Sequence, residues 1–162
     1  MKPGTKRKRE TNALIPCGWK GCKLQCADDW QLNTHLGEHI AQQLPKCENN
    51  LYDCPMVKCA FQTECQRELQ RHIYFHGYFA GLVVQGKLVL EANPQIPKCS
   101  ATARTGHKVP DLKNDFRCEW ADCDRTFISV VEFQDHIVQH ASFEYEIQKT
   151  PGEYYLVLFN MK

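Results

Sequence analysis

The stretch that decides the fold is Cys17-Gly-Trp-Lys-Gly-Cys22, followed after twelve residues by His35-Leu-Gly-Glu-His39. The same spacing of two cysteines and two histidines occurs twice more in the chain. The further copies are Cys54, Cys59, His72 and His76, then Cys118, Cys123, His136 and His140. The three copies use six of the ten cysteines and six of the seven histidines. A repeat of this kind predicts three similar small units.

The spacing indicates a closed metal site in each copy. Two thiolates on a short turn bind one side of an ion, and histidines four positions apart lie on one face of a helix. Two sulfur and two nitrogen ligands form the tetrahedral set typical of structural Zn²⁺, so we expect three zinc ions as cofactors. Four protein ligands leave no open position for water or substrate, and we therefore expect no enzymatic activity.

The copies resemble C2H2 zinc fingers, which implies a small metal-stabilised α+β fold of three ββα fingers with long linkers. In the third finger, Phe127 and Phe133 occupy the family's apolar core positions. Cys26 stands at the aromatic position of finger one, and Thr63 at that of finger two, where Phe61 is a candidate substitute. Because a unit of about 23 residues buries little apolar surface, metal binding is expected to supply much of the folding free energy.

The repeats divide the chain into six segments. We expect a basic disordered tail over residues 1–13, fingers over residues 14–40, 52–77 and 116–141, a partly structured linker over residues 78–115, and a hairpin within residues 142–162. No secretory signal is apparent at the N-terminus. No stretch approaches the roughly 18 apolar residues of a membrane helix, so a membrane partner is not expected.

Two segments outside the repeats suggest regular structure. In residues 77–97, apolar side chains at helical spacing could extend the helix of finger two, whereas Leu-Val-Val-Gln-Gly-Lys-Leu-Val-Leu fits two strands around a turn. Three glycines argue against a long uninterrupted helix. Near the C-terminus, alternation over Phe143–Ile147, a Pro151-Gly152 turn and the apolar run Tyr154–Phe159 indicate the hairpin.

Trp19 and Trp120 occupy the same position in the motif C-x-W-x-x-C. This motif resembles the Gli and Zic type of finger, in which that tryptophan packs on a neighbouring finger. Packing within its own finger is the alternative. Finger two carries Met56 at the equivalent position. We therefore expect Trp19 to contact Met56 across the first two fingers.

The helix positions that face bases in DNA-binding fingers lie seven, four and one residue before the first histidine. Here they hold Asp28, Gln31 and Thr34; Cys65, Glu68 and Arg71; and Ser129, Glu132 and Asp135. Only Arg71 offers the frequent arginine–guanine contact, and Arg67 lies on the same helix. A separate basic run, Lys6-Arg7-Lys8-Arg9, is typical of a nuclear localisation signal or a nucleic-acid patch.

Charge and linker length argue against strong DNA binding by these fingers. The net charge of the chain is +1, and residues 118–140 hold one arginine against five carboxylates, which repel phosphate. Linkers of 14 and 41 residues exceed what adjacent fingers need to follow one groove. Finger three thus suits a basic protein surface or a structural role. Two interpretations stay open: regulation through DNA, and a protein-interaction module without base reading.

Several short strings also point to a subfamily. They are Cys17–Cys22, Arg71-His-Ile-Tyr-Phe-His76, Val109-Pro-Asp-Leu112 and Glu144-Tyr-Glu146. Together they resemble the N-terminal three fingers of the histone nuclear factor P family, zinc-finger regulators of histone genes. The resemblance implies a transcription regulator in the nucleus that binds DNA and nuclear proteins, with no small-molecule substrate.

Overall fold

The computed structural model describes residues 13–44, 51–96, 109–110, 112–120 and 122–147, with side chains as far as residue 141. In this part of the chain, a two-stranded antiparallel sheet followed by a helix occurs three times. The elements are β1 Ile15–Pro16, β2 Gln25–Cys26 and α1 Asp29–Gln43; β3 Tyr52–Asp53, β4 Gln62–Thr63 and α2 Gln66–Ala92; and β5 Phe116–Arg117, β6 Thr126–Phe127 and α3 Val130–Ile147. The predicted ββα fingers are confirmed. None of these helices is both long and apolar enough to cross a membrane.

Fingers one and two share one hydrophobic core. Leu32 and Leu36 of α1 are buried against Leu69 and Ile73 of α2, and all four side chains are at most 1% exposed. Cys26 is fully buried in the same cluster, where its thiol fills the place of the missing aromatic ring as a small apolar group. The first two fingers therefore form a single packed unit rather than two independent ones.

Helix α2 runs without interruption through residues 66–92, far beyond the second histidine of its finger. The helical interpretation of the segment after residue 77 is thus confirmed, and the two-stranded one is wrong. The glycines do not break the helix because two of them contact α1, where a side chain would not fit. A Cβ at Gly77 would lie 2.5 Å from Leu36 Cδ1, and one at Gly81 would overlap the Asp29 carboxylate. Close packing of the two helices offsets the helix-propensity cost of about 1 kcal/mol per glycine.

Two alanine substitutions in α2 are expected to have opposite effects on stability. A Cβ at Gly86 would meet no atom within 4 Å, so Gly86→Ala should raise the free energy of unfolding by about 0.5–1 kcal/mol. Gly77→Ala gains the same propensity but overpacks the buried Leu36, at a typical cost of about 1–3 kcal/mol. We therefore expect it to be the less stable variant in urea unfolding of the metal-loaded protein. Equal stabilisation by both changes would contradict close α1–α2 contact.

Helix α3 also continues past its finger, to Ile147. The expected strand over Phe143–Ile147 is therefore wrong, because this segment is helical. Its apolar ends are four positions apart, a spacing that fits one face of a helix as well as the alternation fits a strand. The rest of the expected hairpin, including Tyr154–Phe159, lies outside the described residues, as does the basic run at residues 6–9.

Candidate functional site

Each finger brings its two cysteines and two histidines together between the strand turn and the helix. In every group the four ligand atoms lie within 4.8 Å of one another. The groups are Cys17, Cys22, His35 and His39; Cys54, Cys59, His72 and His76; and Cys118, Cys123, His136 and His140. All twelve ligands predicted from the spacing are thus gathered into three sites, each able to hold a metal ion.

The distances fit tetrahedral coordination. A zinc ion with Zn–S near 2.3 Å and Zn–N near 2.0 Å sets sulfur and nitrogen about 3.5 Å apart. The Sγ–Nε2 distances are 3.4 Å for Cys22–His35, 3.2 Å for Cys59–His72 and 3.3 Å for Cys123–His136. In finger one, Nε2 of His39 is buried and makes no hydrogen bond to a described residue, as suits an atom that binds an ion. The chain folds as three C2H2 zinc fingers.

Burial disfavours the charged form of three ligands, Cys17, Cys54 and His72, when no cation is bound. It raises the pKa of Cys17 to about 11 and that of Cys54 to about 12, because a buried thiolate loses its hydration. Burial, assisted by neighbouring His76, lowers the pKa of His72 to about 4. A divalent cation favours the thiolate and binds neutral imidazole, so loading a site releases thiol protons and weakens as the pH falls.

An aromatic ring stacks on one histidine ligand in each site. Their ring centroids are 4.6 Å apart for Trp19–His39, 4.0 Å for Phe61–His72 and 5.1 Å for Trp120–His140. Phe61 thereby supplies the aromatic group that Thr63 cannot. When His39 binds metal through Nε2, its Nδ1–H can donate to Gln43 Oε1, 3.1 Å away, which fixes the ring orientation.

Fingers one and two join through their cysteine turns. Trp19 and Met56 pair as an antiparallel bridge, and both side chains are buried, at 5% and 4% exposed. Two backbone hydrogen bonds flank them, from Lys20 N to Pro55 O at 3.0 Å and from Val57 N to Gly18 O at 2.9 Å. Trp19 therefore does both things considered from the sequence: it stacks within its own finger and pairs with the next one.

This bridge predicts that Trp19 and Met56 are energetically coupled. In a double-mutant cycle, Trp19→Ala and Met56→Ala should each destabilise the metal-loaded protein, with a coupling free energy of roughly 0.5–3 kcal/mol, as for residues in contact. Hydrogen exchange should show Trp19→Ala loosening the amides of finger two. Strictly additive effects, with finger two unchanged, would rule out the interface.

The helix face of finger two is occupied by the returning linker. Arg71 is 2% exposed; it donates to Leu112 O at 2.6 Å and also to Lys113 O and the Asp115 carboxylate. Arg67, with a side chain 54% exposed, binds the same carboxylate through Nε at 2.8 Å and through Nη2. In this structure the Arg71 guanidinium is buried and bonded within the chain, so it does not face the solvent as a base-reading side chain would. Arg67 shares the single Asp115 carboxylate with Arg71, so the two arginines are only partly neutralised and Arg67 stays half-exposed.

Finger three presents two of its three base-reading positions, Ser129 and Glu132, to finger one. Ser129 is completely buried and donates a hydrogen bond to Asn33 Oδ1 of α1. Asn33, itself 6% exposed, donates from Nδ2 to Glu132 at 3.2 Å. Nearby, Gln134 donates to the Tyr78 hydroxyl of α2 at 3.1 Å. Sequence reasoning missed Asn33 and Asp115, since neither belongs to a repeat motif.

The corresponding face of finger one lies open. Asp28, Gln31 and Thr34 are all exposed, with Asp28 capping α1 by accepting a hydrogen bond from Gln31 N at 2.7 Å. Of the positions on the other two helices, Cys65 and Asp135 are exposed as well. Finger one is thus the described finger whose three base-reading positions all face solvent.

Comparison with known proteins gives one curated relative. The chain is 26% identical over 162 residues to the human "Histone H4 transcription factor", an alignment that covers 90% of this chain. It spans about a third of that relative's length, 31%. No family model and no solved structure matches the chain.

Proposed function

We propose that the chain is a Zn²⁺-loaded module of a nuclear transcription regulator whose three fingers serve protein contacts rather than base reading. One observation carries this proposal: base-reading positions of fingers two and three are engaged inside the molecule. Arg71 is held by the linker, and Ser129 and Glu132 are bonded to Asn33. Supporting a binding role over catalysis, each site has four protein ligands and no open position for a substrate.

The free energies of the contacts involved favour Arg71 bonded within the chain over Arg71 bonded to a base. The two hydrogen bonds from Arg71 to carbonyls contribute about 0.5–1.5 kcal/mol each, and the one to the Asp115 carboxylate about 1.5–3 kcal/mol. A good bidentate contact between arginine and guanine contributes about 1–3 kcal/mol of discrimination. Withdrawing Arg71 from Asp115 and two carbonyls to reach a base would therefore cost more than that contact returns.

Charge supports the same conclusion for finger three. Residues 118–140 contain one arginine or lysine, Arg125, and five carboxylate side chains. A zinc ion with two thiolates adds no net charge, so the finger stays acidic when loaded. Since phosphate contacts supply most non-specific affinity for DNA, this finger contributes little to it. Lys6, Arg7, Lys8 and Arg9 are better placed by charge to meet phosphate or a nuclear import receptor.

Sequence-specific DNA binding is the second candidate, favoured by the name of the human relative. The two functions are separated by selecting from random duplex DNA with the zinc-loaded chain at low and high salt. We expect no enriched sequence, and weak binding that disappears when Lys6–Arg9 are changed to alanine. An enriched site whose affinity falls in Gln31→Ala would refute the proposal. Because Gln31 is exposed, that variant is expected to fold normally.

Nuclear entry is tested separately. A fluorescent reporter fused to residues 1–12 should accumulate in the nucleus, and changing Lys6–Arg9 to alanine should return it to an even distribution. A reporter that stays cytoplasmic with the basic run intact would remove that part of the proposal.

A further inference from the structure

A shallow groove on finger one combines exposed apolar and acidic groups. It lies on the open side of α1, next to the end of β2. We call it the finger-one groove; its lining includes Leu24, Ala27, Asp28, Trp30, Thr34 and Glu38. Leu24 and Trp30 are 47% and 54% exposed, so two large apolar side chains face solvent within one small surface. Apolar side chains beside acidic ones can together contact the aliphatic stem and the charged end of a Lys or Arg side chain.

The charges of the groove select the kind of ligand. Its lining holds the carboxylates of Asp28 and Glu38 and no lysine or arginine. The side chain of Glu38 is 64% exposed, with one carboxylate oxygen 3.6 Å from Nδ1 of His35. Such a surface repels nucleic-acid phosphate and attracts cations. The face of the Trp30 indole can also accept an ammonium or guanidinium group.

The spacing of the two carboxylates sets the length of the ligand. Asp28 and Glu38 are ten positions apart on one helix, which corresponds to about 15 Å along its axis. An extended peptide advances about 3.3 Å per residue, so about five residues span that distance. Trp30 is two positions along the helix from Asp28, so an aliphatic side chain between the two basic ones, nearer the one that meets Asp28, would then reach Trp30 and Leu24.

From this geometry we propose that the finger-one groove binds a short basic segment of a partner protein. The segment carries two Lys or Arg residues about five positions apart, with an aliphatic residue between them. This inference rests on the proposed function, in which the fingers serve protein contacts. It goes further by naming the surface and the chemistry of the partner. On the helices of the other two fingers, Arg71 and Ser129 are engaged in the Arg71–Asp115 and Asn33–Ser129 contacts, which partly cover the corresponding faces.

The test uses the zinc-loaded full chain and two synthetic peptides. The first is Gly-Arg-Ser-Leu-Ser-Ser-Arg-Gly, and the second has Glu in place of both Arg. Binding is followed by calorimetry and by the NMR signal of the Trp30 indole N–H. We expect saturable binding of the arginine peptide, at least tenfold weaker binding of the glutamate peptide, and a shift of the Trp30 signal by the first peptide alone.

Variants of the groove localise the binding. Trp30→Ala should lower the affinity for the arginine peptide at least fivefold. The double variant Asp28→Asn with Glu38→Gln should lower it by a similar factor. Asparagine still caps α1, and glutamine keeps an acceptor near His35, so the fold is preserved. Matched controls on finger two are Val57→Ala, a residue 54% exposed, and Glu64→Gln, also exposed; neither should change the affinity.

Each of the following outcomes overturns the assignment. Equal binding of both peptides removes the charge argument, and unchanged affinity in Trp30→Ala places the site elsewhere. A shift of the Trp30 signal on deleting residues 1–12, with tighter peptide binding, shows that the chain's own tail is the occupant. If neither peptide binds and no DNA sequence is enriched, this inference is rejected while the proposed function stands. An enriched duplex that competes for the groove rejects the proposed function too.

Discussion

Removal of the metal with a chelator at neutral pH is expected to unfold all three fingers. Each described sheet has strands of only two residues, and the core shared by fingers one and two is small. Hydrophobic burial on this scale does not fold units of this size, whereas a structural zinc site supplies on the order of 10 kcal/mol. The helical circular dichroism signal should fall by most of its value and return when Zn²⁺ is added. An unchanged signal in a demonstrably metal-free sample would refute metal-dependent folding.

Two cysteine variants provide the matched comparison. Cys118→Ser removes a buried ligand of finger three and should reduce the bound zinc from three equivalents to two. Cys65→Ser changes an exposed cysteine outside the three ligand groups, and three equivalents should remain. Measured zinc by atomic spectroscopy distinguishes these results. Loss of one equivalent in Cys65→Ser would show that the ligand sets are assigned incorrectly.

The second large effect is expected from Arg71→Met. Methionine keeps apolar contacts of similar length but removes the hydrogen bonds to Leu112 O, Lys113 O and the Asp115 carboxylate, which retains Arg67 as a partner. Bonds to carbonyls contribute about 0.5–1.5 kcal/mol each and one to a charged group about 1.5–3 kcal/mol, so we expect a loss of about 2.5–6 kcal/mol. We expect this loss in the urea unfolding of the zinc-loaded protein, together with detachment of finger three from the α2 helix.

Arg67→Met is the control, because it removes the exposed partner of the same carboxylate. Exposed pairs contribute about 0–1 kcal/mol, so its effect should be several-fold smaller. Protonating Asp115 with acid cannot replace these variants as a test of the ion pair. Hydrogen bonds from Arg67 lower the pKa of Asp115, so the zinc sites lose their ions before that carboxyl is protonated. If Arg71→Met were as stable as the wild type and altered only DNA specificity, Arg71 would be a base contact after all.

The zinc ligands were predictable because their chemistry constrains local spacing. Two cysteines on a turn and two histidines four apart must meet if the helix forms at all, and the threefold repeat leaves little room for coincidence. The pairing of Trp19 with Met56 followed from the same repeat, since both stand at one position of the motif. Phe61 was identifiable as the substitute ring by its distance from Thr63 along the chain.

Contacts between distant parts of the chain were not predictable in this way. Asn33 and Ser129 are separated by 96 positions, and nothing local marks either one as a partner. Arg71 looked like a DNA contact because a helix surface position is normally exposed; the linker that buries it returns 41 residues later. The glycines of α2 argued against a long helix for a similar reason. Their propensity cost is local, whereas the space they leave for Leu36 depends on a second helix.

The packing of finger three on the other two also sets an order of events in folding. Fingers one and two join through a short connection, whereas finger three must close chain loops of 41 to 96 residues before Leu112 and Asn33 meet their partners. Loop closure costs more entropy as the loop lengthens, so these contacts form late. They hold polar surfaces together with few buried apolar groups, and such regions open most readily. Finger three is thus expected to dock last during folding and to detach before the other two fingers unfold. Its detachment would expose Ser129 and Glu132 while fingers one and two stay folded.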